Sequence, residues 1–279
     1  MRGTQCRETL FFRLPSSDDC FLCLRPDSNL ADFCGDAIIT STNTCLQGIH
    51  QRNWWGFSGK RSADASLHEN YLGHRGESRL AGHCRGVLTN GLPPGECLLT
   101  ETKDVPPSPG VQSPPYSYIA HIVVPNHPDG RLARETRPLS GGHKTEFVDS
   151  REEAENILHQ ALTAAFVSLN ACNDKIETVA LPAVGCGCRG YPAATAIRII
   201  LDSIVQVITT NACLKYIEIR FCSTPEFLGC VSECTNRSLI ISDETEIEQL
   251  LFGGMSLAAY TQEKKLESCP TSNAHCTLA

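Results

Sequence analysis

Apolar and polar positions along the chain follow two periods in turn. Short runs that are apolar almost throughout recur at CFLCLR (20–25), DAIITST (36–42), SYIAHIVVP (117–125), TVALPAV (178–184) and YIEIRFC (216–222), and ECLLTE (96–101) adds a further run. Their length and β-branched content are those of strands. Between them the period changes to that of a helix. From about Arg151, residues Ala154, Ile157, Leu158, Ala161, Leu162, Ala165, Phe166 and Leu169 share one face. Behind Pro192, a residue tolerated in a helix's first turn, Ile197, Ile200, Leu201, Ile204, Val205 and Ile208 form a second stripe. A shorter helix can start at Asp64 in ADASLHENYLG, and Asp243 with Glu246 resembles a capping box ahead of Ile247, Leu250 and Leu251. Strands alternating with long helical runs predict a three-layer α/β/α sandwich around a central mixed, largely parallel sheet.

The breaks in this pattern set the expected organisation. Residues 1–19 read as an N-terminal extension, 20–262 as one domain, and 263–279 as a disordered tail. Insertions fall near 47–62, which is aromatic and basic, near 102–116, whose prolines exclude regular structure, and near 126–149. A chain of 279 residues can bury one substantial core. Its net charge of -7 argues against general attraction to a nucleic-acid backbone, so affinity for phosphate would have to come from geometry. No apolar stretch reaches the length of a membrane span, and the first residues lack the pattern of a secretory signal. The expectation is a soluble intracellular protein, cytoplasmic or nuclear. Sixteen cysteines without framework spacing then read as free thiols rather than disulfides.

Chemistry concentrates in LPAVGCGCRGYP (181–192), which joins an apolar strand to a helix and holds Gly185, Gly187 and Gly190. Three readings compete. The segment can be a plain turn, a cysteine site, or a set of bare amides at the carboxyl end of a strand, where α/β sheets collect anionic ligands. The metal reading is the weakest. Cys186 and Cys188 lack a matched second pair, and Cys20 and Cys23 lie in a strand whose i and i+3 positions face opposite sides. A thiol nucleophile needs a base, and spacing alone does not bring His121 to either cysteine.

Several segments, in order along residues 20–230, resemble the macrodomain family, whose members bind ADP-ribose. DAIITSTN resembles the family's V-N-A-A-N strand and puts Asn43 on its last asparagine. SADASLH resembles G-V-D-G-A-I-H, with Asp64 and His68 on the aspartate and histidine. PAVGCGCRGYP resembles the turn P-A-I-S-T-G-x-[FY]-G-[YF]-P, and YIAHIVVP resembles Y-V-I-H-T-V-G-P. PDSN resembles G-D-I-T, with Asp27 where the family meets the adenine amine. The chain departs from the family in two places. A longer insertion with Trp54, Trp55, Phe57, Lys60 and Arg61 replaces the glycine-rich loop, and Arg189 replaces the aromatic residue of the turn.

The resemblance is to the branch that removes mono-ADP-ribose from acidic side chains of proteins, with O-acetyl-ADP-ribose as a further ester substrate and a non-enzymatic ADP-ribose reader as the alternative. It implies Asn43, Asp64 and His68 as catalytic. Asp27, Ser28, Asn43, Gly185, Cys186, Gly187, Cys188, Arg189 and Phe227 would bind ligand, Phe227 as an adenine wall or as core. No metal or cofactor is implied. The expected partners are ADP-ribose and mono-ADP-ribosylated proteins, without nucleic acid or membrane, and the expected state is a monomer.

Overall fold

A computed structural model describes residues 8–14, 20–44, 46, 63–72, 78–130, 147–172, 174–187, 189–209, 213–243 and scattered positions between 245 and 262. Among these, eight strands form one sheet: β1 (Leu10–Arg13), β2 (Phe21–Arg25), β3 (Ala37–Thr42), β4 (Cys97–Glu101), β5 (Tyr118–Val123), β6 (Thr178–Pro182), β7 (Tyr216–Arg220) and β8 (Ile240–Ser242), in the order β4-β5-β3-β6-β7-β2-β1-β8. The five inner strands, β5-β3-β6-β7-β2, run parallel. The flanking pairs β4/β5, β1/β2 and β1/β8 are antiparallel.

Among the described residues, five helices cover the sheet: α1 (Ala63–Glu69), α2 (Arg79–Val87), α3 (Arg151–Asn170), α4 (Ala193–Ile208) and α5 (Thr224–Asn236). Alternation along each strand sends its side chains into two cores. Leu22, Ile39, Ala120 and Ile217 meet α3, α4 and α5 on one side, while Phe21, Ile38, Ile119 and Val123 meet Leu67 of α1, Tyr71 just after it, and Leu80 and Cys84 of α2 on the other. With both faces covered, the inner strands are mostly apolar on both sides, which is why they read as nearly continuous runs. Cys20 and Cys23 fall in opposite cores. At the amino end of the parallel strands the Asp36 carboxylate accepts from the Glu177 and Thr178 amides at 2.8 and 3.0 Å. This contact fixes β3 against β6, so their carboxyl ends emerge side by side.

Four elements depart from the sequence expectation: β1, α2, α5 and β8, the last a three-residue strand too short to show a period. β1 lies inside the segment read as an extension, because four residues, LFFR, are too few to show a period. α2 and α5 were not expected; α2 holds Gly82 and Gly86, and α5 holds Gly229 and two cysteines, so local propensity is weak and packing decides. The proline-rich 102–116 stretch is no loose excursion. Val105 and Tyr116 are buried, and Ser108 Oγ donates to the Leu72 carbonyl at 2.7 Å. Asp243 does cap, its carboxylate accepting from the Thr245 amide at 2.7 Å. The insertion at 47–62, residues 131–146 and the tail from 263 lie outside the described residues.

Candidate functional site

The carboxyl ends of β2, β7, β6 and β3 open at one edge of the sheet, and most of the residues singled out from sequence lie there or just beneath. Asp27 follows β2, exposed, with a left-handed φ of 48° that aspartate tolerates better than most residues. Below it the Glu218 carboxylate is fully buried. It accepts from Arg25 Nε at 3.0 Å, Arg220 Nε at 2.5 Å and Tyr216 Oη at 2.8 Å. Arg220 also donates to the Asn29 carbonyl and lies 5.5 Å from the centre of the Phe33 ring. This buried ionic cluster fixes the 27–33 segment. Its sequence signal is two arginines and a glutamate inside FLCLR and YIEIR, runs where a strand buried on both faces has no use for charge. Ser28 spends its groups on the frame: Oγ donates to the Arg25 carbonyl at 3.0 Å and N–H to the Phe221 carbonyl at 3.2 Å.

The glycine turn after β6 is a chain of tight bends. Val184 N–H donates to the Pro182 carbonyl at 2.7 Å, Cys186 N–H to Ala183 at 3.2 Å, Gly190 N–H to Gly187 at 3.1 Å and Tyr191 N–H to Gly185 at 3.1 Å. The Cys186 amide is therefore turned inward and is no ligand donor, contrary to expectation. Among the described residues the amides of Gly185 and Gly187 make no hydrogen bond. Gly185 needs its φ of 89°, and a Cβ there would stand 3.1 Å from the Tyr191 ring. Gly187 is exposed, and a Cβ there would meet nothing within 4 Å, so the space beside it is open. Burial pushes the Cys186 thiol up to about 12, with Glu226 adding to the shift, so it is a poor nucleophile. Cys188 lies outside the described residues.

Two expected ligand contacts are instead structural. Phe227 is 1% exposed and packs edge-on to Phe221, ring centres 5.7 Å apart, so it fills the core and offers no adenine wall. Arg189 is 7% exposed and reaches inward, donating from Nη2 to the Thr42 carbonyl at 2.7 Å and from Nη1 to Asn126 Oδ1 at 3.4 Å. A guanidinium fork satisfies two acceptors at once, and the strand ends provide them. The Arg189 carbonyl accepts from the His127 amide at 2.8 Å, and the His127 ring stands 4.9 Å from that of Tyr191. Sequence reasoning passes over Asn126 and His127; their signal is a polar pair directly behind the apolar run of β5.

Asn43, half-buried, follows β3, and its carbonyl accepts from the Leu46 amide at 3.0 Å. Asp64 and His68 lie one turn apart on α1 with Asp64 Oδ1 and His68 Nε2 at 3.7 Å, as their spacing predicts. Asp64 sits in the helix's first turn, where a carboxylate meets the positive end of the dipole. Its Oδ1 accepts from Thr40 Oγ1 at 3.4 Å, and it is 1% exposed. His68 Nδ1 is 2.6 Å from Ser78 Oγ, which also caps α2 through the Ala81 amide. Behind this pair, His121 on β5 meets Cys84 Sγ at 3.7 Å, and burial, with His68 and His83 nearby, lowers its pKa to about 3.

The family model of the Macro domain matches residues 69–200. No curated protein matches the chain in sequence. Among solved structures, the macrodomain of Oceanobacillus iheyensis with MES bound aligns with a TM-score of 0.57 at 17% identity, over 83% of this chain and 97% of that one. The same protein with ADP aligns with a TM-score of 0.57 at 17% identity, over 83% and 97%. The Trypanosoma brucei macrodomain aligns with a TM-score of 0.51 at 18% identity, over 80% of this chain and 72% of its own.

Proposed function

We propose that this chain is a macrodomain that binds ADP-ribose across the carboxyl edge of the sheet and removes mono-ADP-ribose from acidic side chains of proteins, a reading supported by the family match over residues 69–200 and by the fold. The observation that carries the binding reading is the turn after β6. It ends a central strand, leaves the Gly185 and Gly187 amides without a hydrogen bond among the described residues, and borders open space beside Gly187. Such amides suit a diphosphate without side-chain charge, in keeping with an acidic chain. β3 and β2 stand on either side of β6, three strand spacings apart through β6 and β7, or about 14 Å. That width seats adenosine near Asp27, the diphosphate at the turn and the distal ribose near Asn43. The solved Oceanobacillus iheyensis macrodomain includes a glycine-to-valine mutant with ADPR bound, which supports the same ligand here.

Hydrolysis of an ADP-ribosyl ester needs a positioned water and a group that polarises it as charge develops at the anomeric carbon or the leaving carboxylate. Asn43 would hold the ribose hydroxyls, Asp64 would orient the water, and His68, held by Ser78, would keep that carboxylate in place. O-acetyl-ADP-ribose carries an ester on the same ribose and is a further substrate. Asp64 is 1% exposed, so a water reaches it only through a local opening. That burial is the specific observation favouring the second reading, a module that binds ADP-ribose without turning it over.

Release of ADP-ribose from a protein modified on glutamate separates the two. Release by the parent that falls at least about a hundredfold in Asp64→Ala, with ADP-ribose affinity retained, supports the hydrolase. Binding without release by the parent establishes the reader instead.

A further inference from the structure

We infer that Arg189 is a positioning residue for the distal-ribose end of the proposed site, acting through Asn43 rather than on the ligand; the inference rests on the ADP-ribose reading. β3 leaves the ladder at Thr42, whose register partner is Val123, and Asn43 is the first residue beyond it. The Thr42 carbonyl belongs to the same rigid peptide unit as the Asn43 nitrogen and Cα. A guanidinium held 2.7 Å from that oxygen fixes the plane from which Asn43 departs, and the Leu46 amide on the Asn43 carbonyl fixes the plane that follows. Asn43 is thus held on both sides by bonds that are not part of the sheet.

Arg189 itself is held firmly enough for this work. Its side chain also reaches Asn126 Oδ1 at 3.4 Å, and its carbonyl takes the His127 amide at 2.8 Å. Next to it Gly190 lies so close to Gly130 that a Cβ on Gly190 would stand 2.4 Å from the Gly130 Cα. One residue of the phosphate turn therefore ties together the ends of β3 and β5. Lysine keeps the charge but has a single ammonium on a flexible stem, which cannot reproduce the two-acceptor fork.

The test compares two ligands that differ only beyond the diphosphate. ADP-ribose and ADP are titrated into the parent, Arg189→Lys, Asn43→Ala and the double variant. The expected result is an ADP-ribose affinity about tenfold weaker in Arg189→Lys with ADP affinity within about twofold of the parent, and no further loss when Arg189→Lys is added to Asn43→Ala. ADP binding reports that the turn and the adenosine end remain intact, so a loss confined to ADP-ribose is not a folding effect. Equal weakening for both ligands, no weakening for either, or additive losses in the double variant would overturn the inference while leaving the ADP-ribose reading in place. A parent that binds neither ligand overturns that reading, and the inference with it.

Discussion

Gly187 and Gly190 lie three residues apart in one turn, and the structure asks opposite things of them. Gly190 has a φ of 74° and presses its Cα face against Gly130, whereas Gly187 borders open space without a left-handed φ. Gly190→Ala is expected to lower unfolding free energy by about 2 kcal/mol or more, from strain and a backbone collision that cannot relax by rotating a side chain. Gly187→Ala should stay within about 0.5 kcal/mol of the parent. Denaturant titration of both variants checks this, and equal stabilities would contradict the close approach of the two turns. The glycines were legible as a cluster because a strand-to-helix turn needs bare backbone there. Which of them serves the frame and which the ligand was not, since Gly130 is 60 residues away. Arg189 was misread for the same reason: its acceptors, Thr42 and Asn126, are known only once three strand ends meet. Phe227 shows the limit from the other side, because an aromatic after a strand suits a ligand wall and a core equally until Phe221 is seen against it.

The seam between β3, β5, α1 and α2 is polar where most of the interior is not. Thr40 and His121 are register partners on adjacent strands, and Asp64, His68, Ser78, Cys84 and Thr100 close around them. His121 is neutral in the fold, with its pKa lowered to about 3 by burial, while the unfolded chain takes up that proton below about pH 6.5. Its contribution is therefore complete above pH 6.5 and is lost progressively as pH falls toward 3. Between pH 7 and pH 5 it should cost about 2 kcal/mol of unfolding free energy. His121→Leu is expected to flatten that stretch of the stability profile; an unchanged slope would place the proton uptake on another group. The inner strands and β4 were readable as apolar runs and the two long helices from their period, because α3 and α4 each bury one continuous stripe. α2 and α5 were not, since glycine and cysteine weaken their local preference, and β1 exists only because β2 and β8 pair with it.

Across the molecule, sheet order does what no single motif can. Asp27, the glycine turn and Asn43 are separated by up to 160 residues in sequence, from Asp27 to Gly187, yet they stand along one edge because β2, β7, β6 and β3 are neighbours. Five parallel strands point their carboxyl ends to that edge, and the helix after β6 directs its amino end toward it, so the field and the free amides coincide. Main-chain nitrogens at this mouth, rather than lysines, are what should hold a diphosphate. Titration calorimetry with ADP-ribose on the full chain and on Gly187→Glu decides the matter. Saturable binding of one ligand per chain by the parent, weakened at least about a hundredfold by the glutamate with the unfolding midpoint unchanged, is the expected result. A glutamate variant that binds as tightly as the parent, or a parent that does not bind, would contradict it.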